Sequence, residues 1–220
     1  MIKFENTEVL GWKSAISGYC FLTELPESIA RHTCNENRNN CGKHKKEKEF
    51  IICPNDLDLM NRLRNAGTDH RKFMRMITVY IDITAPLYWW KEFDTYKVGT
   101  VANSCSTMHK IHMKEFKLDD FSTEHLIEGS LIGFEAFIDH LNVCREAYLQ
   151  TKDKKYWWQM IQLLPSSYNQ KRTVMLNYEV LANIYKSRRN HKLDEWRIFC
   201  NWIETLPYSE LITGDNERGI

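Results

Sequence analysis

Residues 76–93 read MITVYIDITAPLYWWKEF. Ile77, Val79, Ile81 and Ile83 alternate with Thr78, Tyr80, Asp82 and Thr84, the period of two that lays one face of a strand on a core and leaves the other wet. At Pro86 the period changes. Proline has no N–H to give to a ladder but suits the first turn of a helix. Leu87, Trp90 and Phe93 then recur at helical spacing, with Thr84 or Ala85 expected as the cap. A half-buried strand feeding an aromatic helix predicts a mixed α/β chain.

Working outward, the rest of the pattern is mostly helical. Residues 54–67 place Asn55 as an expected N-cap, Asp56 and Asp58 near the positive helix end, Leu57, Met60 and Leu63 on one face, and Gly67 as the stop. In FEAFIDHLNVCREAYLQ, residues 134–150, Phe134, Phe137, Ile138, Leu141, Cys144 and Tyr148 form one stripe. KYWWQMIQLL follows and ends at Pro165. After a turn rich in Ser and Asn come NYEVLANIYKSRR and LDEWRIFCNWIETLP, both helical by period.

Composition narrows the classes. With 220 residues the chain is long enough for a real core, and one domain over 1–220 is expected, carrying a polar insertion at about 31–53. Thirty Lys and Arg stand against 29 Asp and Glu, so no global field draws the chain to nucleic acid or to an anionic membrane. No apolar run reaches membrane-spanning length, and MIKFENTEVLGWK lacks the apolar stretch of a signal peptide, so a cytoplasmic setting is expected. Seven Cys at irregular spacing suit reduced thiols there.

The insertion contains His32, Cys34, Cys41, His44 and Cys53, soft ligands without the CxxC or HxxxH core of a zinc site. No metal is expected. KHKKEKE, residues 43–49, interleaves its charges and reads as a solvated face. The other polar concentration is FDTYKVGTVANSCSTMH, residues 93–109. Its Ser104, Cys105, Ser106 and Thr107 offer hydroxyls and backbone N–H groups to an anion, with Lys97 as counter-charge. By its residues alone this segment is equally a connection between helices.

Ala66 to Thr107 resembles the flavin-dependent thymidylate synthases, whose pattern is a helix ending in AGH, a strand, an aromatic and polar helix, and a loop of the form RHRxxSxNxxSxRY. AGTDHRKF takes the first place, the strand from Met76 follows, and the loop falls on DTYKVGTVANSCST. Further on, the family's NxRxLxNFLxLR and AQWEIR are similar to NYEVLANIYKSR and DEWR. Asn177, Leu181, Asn183, Arg188, Glu195 and Arg197 match there, and LLP at 163–165 stands at the family's VLP.

The resemblance implies an α/β (α+β) fold with helices around an antiparallel sheet, assembled as a homotetramer with active sites between subunits. It implies FAD as cofactor, a dUMP-like pyrimidine nucleotide as substrate, and NADPH and methylenetetrahydrofolate as co-substrates in reductive one-carbon transfer. Carried over residue by residue, it implies Ser104 and Arg188 as catalytic. Asn177, Asn183, Thr95 and Tyr96 fall on the cofactor side, and Lys97, Ser104, Ser106 and Arg188 on the substrate side.

This sequence departs from the pattern where charge matters most. Asp94, Thr95 and Tyr96 stand for RHR, Ser106 for the final loop arginine, and Glu179 for the arginine after Asn177. An acid beside a phosphate repels it. Trp89, Trp90 and Tyr96 offer aromatic surface for stacking in place of the lost charge, with a place in the core the stronger reading for Trp90. Asn177 is equally an ideal helix N-cap. Two functions follow from this conflict: a divergent enzyme of the family's chemistry, or a non-catalytic nucleotide-binding or interaction protein on the same scaffold.

Overall fold

The computed structural model describes residues 2–20, 52 and 54–214. Apart from Ile52, the polar insertion at 31–53 lies outside the described residues, and with it the expected flap and its Cys and His side chains. Four strands form one antiparallel sheet in the order β1-β2-β4-β3, comprising β1 (Lys3–Leu10), β2 (Thr78–Pro86), β3 (Val101–Ser104) and β4 (Asn169–Asn177). The helices are α1 (Trp12–Cys20), α2 (Pro54–Asn65), α3 (Leu87–Phe93), α4 (Thr107–Lys110), α5 (Glu128–Thr151), α6 (Lys154–Leu163), α7 (Tyr178–Arg188), α8 (Asp194–Glu204) and α9 (Glu210–Thr213).

The strand read from residues 76–85 is central. β2 pairs with β1 on one side and, without a break from Thr78↔Asn177 to Pro86↔Asn169, with β4 on the other. Val79, Ile81 and Ile83 are buried and Tyr80 is exposed, as the alternation requires. The helix start differs from expectation. Pro86 itself ends the strand and takes the cap position, not Thr84 or Ala85. The first amides of α3 find their acceptors outside the helix: Leu87 N–H donates to the Tyr168 carbonyl and Tyr88 N–H to that of Ser166. Likewise α2 begins at Pro54, so Asn55 lies inside its first turn rather than capping it.

Three strands were hidden from the sequence pattern, and β1, whose side chains are exposed at most positions, is one of them. NQKRTVMLN, taken as part of a turn, is β4: only Val174 and Leu176 of its inward row are apolar, while Gln170 and Arg172 occupy the rest. VANS inside the polar loop is β3, held at the sheet edge by β4. Its side chains are exposed throughout, so no alternation marked it.

The main core lies between the sheet and α1, α2, α3, α7, α8 and α9. Trp89, Trp90, Phe93, Trp196 and Phe199 stack and cross at its centre, with Trp89 and Trp196 centroids 4.9 Å apart. Trp89 and Trp90 are fully buried, which puts Trp90 in the core as read and withdraws Trp89 from the stacking role. Burying such rings is worth roughly 2–3 kcal/mol each. A second core joins α5 and α6 through Leu141, Cys144, Ile138 and Met160, with Phe116 and Phe121 from the preceding loop. Asn142 fastens that loop to α5, its Oδ1 accepting from the Phe116 N–H and its Nδ2 donating to the Phe116 carbonyl, both at 2.9 Å.

Candidate functional site

The loop after α3 is built from its own short-range bonds and from its neighbours. Thr95 Oγ1 donates to the Glu92 carbonyl at 2.7 Å and Tyr96 N–H to that of Phe93, so the loop leaves the helix in a tight turn. Gly99 then adopts φ +76°, and a Cβ there would come within 2.9 Å of Asn177 Nδ2 and 3.2 Å of Val180 Cγ2. The chain passes this closely over the start of α7 because glycine permits it. Asn177 is the N-cap of α7, its Oδ1 accepting from the Val180 N–H at 3.0 Å.

Arg188, at the other end of α7, sits in a cage made by α3, the loop and α8. Its Nε donates to the Tyr96 hydroxyl at 2.9 Å and its Nη1 to Glu92 Oε2 at 2.8 Å. The guanidinium lies 4.7 Å from the Trp196 ring centroid, and Trp196 Nε1 donates to the same Glu92 oxygen. His191 Nε2 stands 3.6 Å from that oxygen. Charge, hydrogen bonds and ring face are thus satisfied together.

A second network holds the far end of the loop. Asp94 accepts from Arg172 Nη1 at 2.8 Å, and Arg172 lies 4.3 Å over the Trp90 ring. Arg172 Nε donates to Gln170 Oε1, whose Nε2 donates to Thr107 Oγ1. Ser104 is the register partner of Arg172, so the serine and this guanidinium share one face of the sheet. Ser106 holds the cap position of α4 without a side-chain bond, and Lys97 is exposed.

The third departure is also answered from elsewhere in the chain. Glu179, buried at the start of α7, accepts from Arg75 Nε and Nη2 and stands 3.6 Å from Arg71 Nε. That bond and the Glu179 charge hold the Arg75 guanidinium above its already high ordinary pKa. Arg71 opens onto a cleft of about 610 Å³ between the end of α2 and the outer face of α7, where Arg64, Lys186, Arg189 and Asn183 also lie.

Within one chain, then, the expected site residues fall into separate places. Tyr96 and Arg188 touch; Asn177 meets the loop at Gly99; Ser104 lies beside Arg172; Asn183 faces the basic cleft. Arg172, Glu92, Arg71 and Arg75 were not read as site residues. Their only sequence signal was charge, and the partners that give it meaning are distant in the chain, 78 residues away for Arg172, 96 for Glu92, 104 for Arg75 and farther still for Arg71. Among the described residues no cluster of His, Cys, Asp or Glu could hold a metal ion, and no helix is long and apolar enough to cross a membrane.

No protein-family model matches the sequence, and no characterised protein matches it by sequence. Solved structures do match. The chain is similar to thymidylate synthase X (ThyX) from Helicobacter pylori, solved with FAD and dUMP, at TM-score 0.67 and 13% identity over 97% of this chain and 98% of that one. A second structure of the flavin-dependent Helicobacter pylori enzyme matches at TM-score 0.62 and 15% identity, with the same coverage. The UMP/dUMP methylase PolB from Streptomyces cacaoi, bound with 5-Br dUMP, matches at TM-score 0.60 and 12% identity over 97% and 95%. Likeness of this extent, end to end on both sides, shows that the chain has the fold of the flavin-dependent thymidylate synthases.

Proposed function

We propose that the protein is a divergent flavin-dependent thymidylate synthase-like protein that binds FAD and a pyrimidine nucleotide of the dUMP kind. The observation that carries this reading is the end-to-end likeness to proteins solved with FAD and dUMP, with the matched positions Asn177, Asn183 and Arg188 on one helix of that fold. Bound flavin supplies the hydride in reductive one-carbon transfer, with methylenetetrahydrofolate and NADPH as co-substrates. The residues of this chain bind and orient. Ser104, the Asn183 cleft and the loop at 95–97 supply donors for an anionic ligand, and the acids that stand where the family has arginines are neutralised by guanidiniums brought from β4 and the Lys72–Arg75 turn. Self-association as a homotetramer in the cytoplasm belongs to the same reading. It is supported by the exposed stripe of Gly129, Ile132, Ala136 and Val143 along α5.

A second reading, a non-catalytic nucleotide-binding protein on the same scaffold, is favoured by Arg188. The arginine expected to serve a nucleotide is engaged by Glu92, Tyr96 and Trp196 of its own chain. Purification in the presence of FAD separates the possibilities. A flavin spectrum that survives gel filtration, together with methylation of dUMP when the co-substrates are supplied, supports the enzyme. Flavin or dUMP binding without turnover supports the second reading. A colourless protein whose melting temperature responds to neither FAD nor dUMP sinks both.

A further inference from the structure

Among the described residues, four cations line the cleft between α2, the Lys72–Arg75 turn and α7, and no carboxylate lines it with them. They are not equivalent. Arg64 is spent on structure: its Nε and Nη2 donate to the Leu211 and Ile212 carbonyls at 3.2 and 3.1 Å, tying the last helix to α2. Arg71 is steered by Glu179, yet its enclosed Nε makes no hydrogen bond. Lys186 in the last turn of α7 and Arg189 at its C-cap are exposed, and among the described residues neither forms an ion pair. Elsewhere the arginines near the loop are neutralised by Asp94, Glu92 and Glu179. Among the described residues, then, Lys186 and Arg189 carry positive charge without a partner, beside Arg71 with its unsatisfied Nε.

Like charges gathered in one concavity repel, and the walls focus their field on whatever anion enters. Lysine and arginine donors at different angles, with the Asn183 amide and the Thr68 hydroxyl beside them, suit the several oxygens of a phosphate better than the two of a carboxylate. A cleft of about 610 Å³ has room for more than one phosphate. We propose that Arg71, Lys186 and Arg189 hold the phosphate groups of the nucleotide ligand, taking over the grip that the loop has lost. The phosphate site stands on this geometry alone; only the word nucleotide rests on the function proposed above.

Calorimetric titration of the full chain with inorganic pyrophosphate at low ionic strength tests it. Binding is expected in the wild type and weakens as salt screens the cleft. The exposed pair Lys186→Ala/Arg189→Ala should lose about tenfold or more in affinity, while the charge-matched Lys91→Ala/Lys154→Ala retains it. Unliganded melting curves check that both variants fold. No pyrophosphate binding in the wild type, or equal binding in Lys186→Ala/Arg189→Ala, overturns the site. Competition then names the ligand: displacement of pyrophosphate by FAD assigns the cleft to the flavin diphosphate, displacement by dUMP to the pyrimidine nucleotide, and displacement by neither overturns the nucleotide assignment. A protein that takes pyrophosphate but no FAD refutes the flavin reading and leaves this one standing.

Discussion

Two of the Arg188 nitrogens are already spent inside the chain, and its planar face is spent on Trp196. Removing it leaves the Glu92 carboxylate without its guanidinium, with only the Trp196 Nε1 donor kept, and the Tyr96 hydroxyl without its donor. Arg188→Met should therefore cost about 1–3 kcal/mol in urea unfolding of the unliganded protein, and Arg188→Lys should not restore it, because an ammonium cannot make the forked contact. An arginine held only for a ligand would leave apo stability unchanged. Burial gives a second residue-level consequence. It pushes the Cys200 thiol up to about 11, with Glu204 adding to the shift and Arg189 opposing it, and it raises the Tyr88 and Tyr178 phenols in the same direction. These groups ionise more readily in the unfolded chain; the Cys200 contribution to stability is complete below the ordinary thiol value of 9.0 and is lost as pH climbs toward about 11, and the tyrosines add to the loss from the ordinary phenol value of 10.0 upward. Urea midpoints should fall across that window, and Cys200→Ala should flatten the fall.

At the scale of elements, the loop between α3 and β3 depends on one glycine. With φ +76° and the Asn177 side chain 2.9 Å from where a Cβ would sit, Gly99→Ala combines backbone strain with a clash at the α7 cap. A loss of about 1–3 kcal/mol is expected, with hydrogen exchange accelerated in residues 96–104 and at the first turn of α7. Unchanged exchange there would show that the loop does not lean on α7. The legibility of the elements follows their burial. β2 and α7 declared themselves because their apolar positions keep a strict period or a cap, as Ile77 to Ile83 and Asn177 do. β4 did not, because Gln170 and Arg172 occupy inward positions where they serve Trp90, Asp94 and Thr107 rather than the oil of the core. β3 could not, since an edge strand exposed on both faces has no reason to alternate.

For the whole molecule, the main core around the sheet and the smaller core of the α5–α6 pair are built separately. The outer stripe of α5 finds no cover among the described residues, with Ile132 63% and Val143 65% exposed, small Ala136 between them and Gly129 one turn before them. If copies of the chain cover it, light scattering should give four times the 26.2 kDa chain mass, and Ile132→Glu/Val143→Glu should lower that mass without lowering helix content. A monomer at micromolar concentration would remove the tetramer from the proposed function.

What the sequence by itself determined is the frame: the alternating strand at 77–83, the aromatic helix after Pro86, the α7 cap at Asn177, and through them the resemblance that the fold bears out. These are local periodicities and local hydrogen bonds, and neighbours in the chain suffice to specify them. Only the tertiary structure decided where the charges went. Asp94 and Glu179 looked like repulsion set against a phosphate, yet each receives a guanidinium from a distant element, Arg172 and Arg75, while Arg188 is drawn into a cage and Lys186 and Arg189, unpaired among the described residues, stand in the cleft beside Asn183. Electrostatic meaning depends on distance in space, and a chain whose paired charges lie 78 to 104 residues apart cannot display it until it is folded.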